Sequence, residues 1–251
     1  MHITVINPNT TASMTRLIGE SARAVAAPGT TVEAVTPGMG PASIESHYDE
    51  ALSVPGLLAE IARAQAGDPP ADGFVIACFG DPGLDAAREL ADGPVVGIAE
   101  AAMHAASFLG RGFSVVTTLA RTEGRAWDLA ERYGMTRFCR GVRSCEIPVL
   151  ALEDPASDAF AAIVAEARRA VADDGAEAIV LGCAGMADLA PRMTAAVGVP
   201  VVDGVAAATK TVEGLVAMGL RKGGHGEFAA PPPKAYTGLM SDFEIPKPDI
   251  C

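Results

Sequence analysis

The chain holds five cysteines, at positions 78, 139, 145, 183 and 251, and two of them stand where chemistry is expected. Cys78 ends the apolar run Phe74-Val75-Ile76-Ala77, and Cys183 follows Ala178-Ile179-Val180-Leu181 and Gly182. Each enters a turn with a glycine two residues on, Gly80 and Gly185. Short continuous apolar runs read as buried parallel strands, and parallel sheets bind ligands beyond the carboxyl ends of their strands. A thiolate there can take a proton from carbon, and a thiol there can give one back. Two such groups on opposite faces of one carbon would invert a stereocentre by general acid–base catalysis, a scheme that asks for no metal or redox cofactor. The glycines allow close backbone approach to a ligand. Their amides are expected to stabilise an enolate-like intermediate. The helix starts that follow are expected to favour thiolate over thiol, lowering a pKa that is ~8.5 in a free cysteine.

A buried cysteine is more often inert filler than reagent, so the case rests on repetition. Asn7 and Thr117 both follow strand-like runs, 110 residues apart; Cys78 and Cys183 are 105 apart; Pro94-Val95-Val96 and Pro200-Val201-Val202 are 106 apart. Three landmarks in one order indicate an internal duplication. Strands are expected at His2–Ile6, Thr31–Thr36, Phe74–Ala77, Gly93–Val96, Phe113–Val116, Ala178–Leu181 and Gly198–Val202. Helices are expected at Ser13–Ala26, from near Val54, at Leu84–Leu90, around Arg125–Tyr133 and at Ala159–Asp173. Alternating strands and helices imply right-handed crossovers and parallel pairing. The predicted fold is α/β: two pseudo-symmetric lobes, each a mostly parallel sheet flanked by helices, with the site in the cleft between them. Residues 1–97 with 206–251 form the first lobe, its C-terminal helix and tail, and residues 98–205 the second. The tail after Lys222 is rich in Gly and Pro and is expected to be extended.

Other residues fall at the same end of the sheets. Asn9, in Asn7-Pro8-Asn9-Thr10-Thr11, either caps the following helix or holds a polar group of a ligand. Thr117 and Thr118 are its second-half equivalents, and are otherwise ordinary β-branched strand residues. The loop Gly40–Ser46 is a candidate lid. His47 reads as a surface or packing residue. Arg16, Arg88 and Arg121 are expected in helices or beyond the strand ends, leaving no evident arginine to clamp a carboxylate. Cys139 and Cys145, in a segment with Arg137, Arg140 and Arg143, and the terminal Cys251 read as structural.

Bulk composition narrows the partners. The 251 residues carry a net charge of −12, which repels nucleic acid and anionic lipid. Hydrophobic residues make up 49% but aromatics only 5%, so Ala, Val, Leu and Ile must fill the core. No apolar run reaches the ~20 residues of a membrane helix; Val95–Leu109 comes nearest, and Glu100 and His104 interrupt it. Met1-His2-Ile3-Thr4-Val5 reads as a strand rather than an export signal. An odd cysteine count without such a signal points to reduced thiols in the cytoplasm. No CxxC pair exists and the four histidines are scattered, so no metal site is expected.

The segments Ile6–Thr10 (INPNT), Gly40–Leu52 (GPASIESHYDEAL), Cys78–Leu90 (CFGDPGLDAAREL), Pro94–Met103 (PVVGIAEAAM) and Leu181–Leu189 (LGCAGMADL) resemble the aspartate/glutamate racemase superfamily. The likeness is closest to its hydantoin and allantoin racemase group. That resemblance implies Cys78 and Cys183 as the acid–base pair and no cofactor. It also implies substrate contacts from Asn9, Ile44, Phe79, Gly80, Thr117, Thr118 and Gly185. It further implies a small-molecule substrate and a homo-oligomer, tetramer or hexamer. A hydantoin C5–H suits such a pair, because its carbanion is an enolate within a planar ring. Other activities of the superfamily stay open: amino-acid racemase, maleate isomerase or arylmalonate decarboxylase. A non-catalytic two-lobed binding protein is the remaining reading.

Overall fold

The structure, a computed structural model, describes residues 1–153 and 158–245. Its first half runs β1 (His2–Ile6), α1 (Ala12–Val25), β2 (Thr31–Val35), α2 (His47–Gln65), β3 (Gly73–Ile76), α3 (Leu84–Leu90), β4 (Val95–Gly97) and α4 (Ile98–Ser107). Its second half runs β5 (Phe113–Thr117), α5 (Glu123–Arg132), β6 (Cys139–Ser144), α6 (Ala159–Asp173), β7 (Ala178–Leu181), α7 (Ala190–Val197), β8 (Val201–Val202) and α8 (Gly204–Ala217). The strands form two sheets, ordered β2-β1-β3-β4 and β6-β5-β7-β8. Every pairing within them is parallel. The strand orders are identical, so the duplication inferred from three landmarks holds for every strand.

The central strands β1, β3, β5 and β7 read as near-continuous apolar runs because helices cover both faces of each sheet. Small residues let those helices sit close. A Cβ on Gly73 would lie 2.5 Å from Val212 of α8, and one on Gly204 would lie 2.7 Å from the Ile98 carbonyl oxygen. Helix α8 leaves the second sheet and packs its Val205, Ala208 and Val212 with Ile3, Val5 and Val75 of the first.

Two elements differ from the sequence expectation. Helix α2 begins at His47 rather than near Val54. The Ser46 side chain accepts from the Asp49 amide at 3.1 Å and donates to the Asp49 carboxylate at 2.7 Å, a reciprocal cap that starts the helix early. Pro55 lies inside α2 and forfeits one backbone bond. Buried Leu57, Ile61 and Ala64 carry the helix past it. Strand β6 was read as a polar segment because Cys-Arg-Gly-Val-Arg-Ser lacks an apolar run. It pairs only with β5, at the sheet edge, where charged side chains are tolerated and block further pairing.

Beyond Lys222 the chain is largely exposed, with short 3₁₀ turns at Gly226–Phe228 and Gly238–Phe243 and one antiparallel bridge, Lys234 to Ile245. Cys251 and the Lys247–Asp249 stretch lie outside the described residues. Among the described residues, no helix is long and apolar enough to cross a membrane.

Candidate active site between the two sheets

A cavity of about 180 Å³ opens at the carboxyl ends of both sheets. The first lobe lines it with Asn9, Ile44, Cys78, Phe79 and Gly80, and the second with Thr117, Thr118 and Cys183. Eight of the nine site residues expected from sequence therefore meet in one cavity. The ninth, Gly185, does not line the wall. It stands behind Cys183, where a Cβ would lie 3.7 Å from the Cys183 sulfur and 3.1 Å from Leu152.

The two thiols are held alike. The Gly80 backbone lies beside Cys78 Sγ and the Gly185 backbone beside Cys183 Sγ, and each favours the thiolate of its neighbour. They fail, however, to depress the thiol pKa values. Burial pushes Cys78 up to about 12, against the Gly80 amide, with the nearby charges of Cys183, Glu50 and Asp81 adding to the rise. Burial pushes Cys183 up to about 11, against the Gly185 amide, with Cys145 and Glu45 adding to the rise. Desolvation of a thiolate outweighs the stabilisation offered by the neighbouring backbone amide. The described cysteines Cys78, Cys139, Cys145 and Cys183 are free thiols.

Asn9 combines the two roles weighed for it. Its Oδ1 accepts from Asn7 Nδ2 at 2.8 Å and from the Thr11 amide at 2.9 Å, which shapes the entry to α1. Its Nδ2 has only the Met14 thioether at 3.3 Å and faces the cavity as a spare donor. The Thr117 hydroxyl is occupied, lying 3.1 Å from Thr122 Oγ1 and 3.4 Å from the Gly182 carbonyl. The loop Gly40–Ser46 supplies Ile44, Glu45 and Ser46 to the wall. It is tied to the first lobe by Thr10 N to Pro41 O at 2.9 Å and to the second by the Val149 amide to Glu45 at 2.7 Å. His47 is exposed but contributes to the rim.

The absence of arginine was a misreading. Arg121 and Arg125 both line the cavity. Arg125, from α5, donates to Glu50 of α2 at 2.5 Å and to the Gly80 carbonyl at 2.7 Å. Its Nε is buried without a partner. Burial raises the Glu50 pKa, while Arg125 and His47 oppose the rise. Glu50 belongs to the GPASIESHYDEAL segment, and that was its only signal in the sequence. Arg125 gave no signal, because a helical arginine reads as surface until the lobes are docked. Among the described residues, no group of three or more His, Cys, Asp or Glu is arranged to hold a metal ion.

Residues 3–212 match the family model described as Asp/Glu/Hydantoin racemase. A hydantoin racemase from Rhizobium meliloti is 51% identical over 238 residues, covering 95% of this chain and 98% of the relative. A hydantoin racemase from Pseudomonas sp. (strain NS671) is 46% identical, covering 97% of each. The solved allantoin racemase from Klebsiella pneumoniae superposes with a TM-score of 0.94 at 51% identity, covering 97% of this chain and 99% of that one. Arylmalonate decarboxylase, at 22% identity and a TM-score of 0.59, shares the fold alone. By fold and by these matches, the chain is an isomerase of the racemase class. It belongs to the Asp/Glu/Hydantoin racemase family.

Proposed function

We propose that the protein racemises 5-substituted hydantoins, allantoin among them, by proton transfer between C5 and the thiols of Cys78 and Cys183. The observation that carries this reading is the matched pair: one thiol from each sheet, each under a glycine amide, in one small cavity. One thiolate removes the C5 proton, and the electron pair moves into the adjacent carbonyl as an enolate. The opposite thiol then protonates the other face, so the two sulfurs exchange protonation states and nothing is consumed. A thiolate of higher pKa is a stronger base toward a weak carbon acid, while its population near neutral pH is smaller. Asn9 Nδ2 is a donor left over for polar atoms of the ring or its substituent. Arg125 is committed to Glu50 and the Gly80 carbonyl, so it is not a free clamp for a carboxylate; Arg121 lines the same wall, so amino acids belong in the test. The near-full-length likeness to named hydantoin and allantoin racemases supports the same substrate class.

The test is optical. One enantiomer of allantoin, or of a hydantoin derived from an amino acid, should lose rotation on addition of the protein alone. In deuterium oxide the product should carry deuterium at C5. Persistent rotation with both substrates, alongside racemisation of aspartate or glutamate, would overturn the assignment in favour of an amino-acid racemase.

A further inference from the structure

The turn after Cys78 contains a buried carboxylate that racemisation does not use. Asp81 is 3% exposed and adopts φ of 45°, in the left-handed region. Glycine is the ordinary residue there, and a side chain costs roughly 1–3 kcal/mol. An aspartate held in that conformation marks a need for its carboxylate. The carboxylate accepts from the Ala99 amide at 3.1 Å, the Glu100 amide at 3.0 Å and the Tyr133 hydroxyl at 2.7 Å.

The duplication shows what is unusual about this arrangement. Helix α8 is capped by its own Asp203, whose carboxylate takes the Val205 and Ala206 amides at 2.8 and 3.0 Å. The matching helix α4 has Gly97 at the capping position. A Cβ there would lie 2.2 Å from the Asp81 carboxyl carbon. The cap of α4 has thus moved out of the helix and into the turn of the neighbouring thiol. The residue of the second lobe that matches Asp81, 105 positions on, is the buried and uncharged Met186.

We propose that Asp81 is a positioning residue that breaks the equivalence of the two thiols: it pins the Cys78 turn to α4 and Tyr133, and its charge keeps the proton on Cys78 in the free enzyme, leaving Cys183 to carry the thiolate. The inference rests on reading Cys78 and Cys183 as the exchanging pair. The groups that face Cys78 are Asp81 from its own turn, Glu50 from α2, whose charge Arg125 of α5 offsets, and Cys183 from beyond β7. Those that face Cys183 are Cys145, after β6, and Glu45, from the loop before α2. Asp81 itself faces Tyr133 and Glu100, and its charge is felt by Arg132. Burial raises the Asp81 carboxyl to about 6, against the Tyr133, Ala99 and Glu100 hydrogen bonds. Its charge is therefore in place throughout the alkaline range in which the thiols ionise.

Alkylation of the ligand-free protein tests this without reference to turnover. Iodoacetamide labelling at a series of pH values, read by mass spectrometry of the Cys78 and Cys183 peptides, gives one titration for each thiol. In the wild type Cys183 should titrate first, with the larger thiolate fraction at every pH below both midpoints. In Asp81→Asn the Cys78 midpoint should fall and that of Cys183 should move less. In Tyr133→Phe the Cys78 midpoint should stay high while kcat drops with KM little changed, because the turn loosens but the charge remains. Cys78 titrating with or before Cys183 in the wild type overturns the proposal even if Asp81→Asn fails to fold. An equal shift of both midpoints in a folded Asp81→Asn protein also overturns it, leaving Asp81 a helix cap and nothing more.

Discussion

Each lobe holds the thiol of the other, but by different means. Helix α5, which follows β5, grips the turn after Cys78: Arg125 bonds the Gly80 carbonyl and Tyr133, just past the end of α5, bonds Asp81. Phe79 between them sinks into the second lobe's cluster with Phe113, Ala126 and Leu129. Helix α1, the counterpart of α5, meets the turn after Cys183 with apolar side chains. Met14 and Ile18 join Ala184 and Ala187 in a cluster of the first lobe. The duplication has kept the glycine amide over each sulfur and has let the clasp around it diverge. Sulfur geometry is therefore the shared requirement, and the surroundings set what differs between the two sides.

If the thiols are interchangeable in role, removing either should have the same consequence. Cys78→Ser and Cys183→Ser should each lower racemisation by about 10³–10⁴-fold, the upper range for a positioned acid–base group. Each variant should still exchange the C5 proton of one enantiomer, and the two variants should choose opposite enantiomers. Chiral chromatography with mass detection of deuterium reads both results. A single variant that retains full racemisation would reduce the site to one base and break the symmetry.

The clasps should differ in what their loss costs. Phe79→Ala removes a nearly buried aromatic that anchors the Cys78 turn, and should cost about 3–5 kcal/mol of stability. Met14→Ala should cost about 2–5 kcal/mol, toward the low end because neighbouring alanines leave little to collapse around. Denaturant unfolding measures both. Equal losses with no effect of Phe79→Ala on rate would show that its anchoring has no bearing on Cys78.

The pair also predicts a pH profile. Both thiol pKa values are raised, to about 12 and about 11, chiefly by burial. Near neutrality most of the free enzyme then lacks the one thiolate that turnover needs, and the fraction that carries it grows as pH rises. The kcat/KM should climb by nearly tenfold per pH unit above pH 7. A flat profile from pH 7 to 9 would mean that the glycine amides outweigh burial after all.

Much of this was legible in the sequence, and its limits have physical causes. The seven strands with apolar or valine-rich runs were found, because burial on both faces leaves a continuous signal. Strand β6 was missed because Cys139 to Ser144 carries two arginines and no apolar run, whereas the other edge strands β2, β4 and β8 keep their valines. The start of α2 was placed late because Pro55 reads as a helix breaker, whereas the Ser46–Asp49 cap lies a full two turns upstream. Cys78 and Cys183 were found through their places after apolar strands, their glycine-bearing turns and their repeat spacing. Arg125, Glu50, Val149 and Tyr133 were not found as site residues, since each reaches the site from a helix or loop only after the lobes dock. The direction of the thiol shift was misjudged for the same reason: depth of burial is a property of the assembled cavity.

A smaller effect probes the polar clasp directly. Arg125→Met keeps the length of the side chain but leaves the Gly80 carbonyl and the half-buried Glu50 carboxylate without their donor. It should cost about 1–3 kcal/mol of stability. Glu50 should then titrate higher, since burial already raises it and Arg125 is the chief group opposing that rise. A melting series from pH 4 to 8 reads both, and Glu50→Gln in the same background should recover part of the loss.

The smallest effect belongs to the cap that stayed at home. Asp203 bonds the same two amide positions of α8 that Asp81 bonds in α4, and also accepts from Ser21 of α1 at 2.8 Å. It sits at its own helix start and not in a thiol turn. Asp203→Ala should therefore cost only the ordinary value of a cap, about 1 kcal/mol, and leave the labelling ratio of Cys183 to Cys78 unchanged. Capping of α4 and α8 would then be energetically alike, and only the carboxylate that moved into the Cys78 turn would be coupled to a sulfur. A change in that ratio with Asp203→Ala would show that both caps reach the thiols through their helices, and that the lobes are more alike in function than their surroundings suggest.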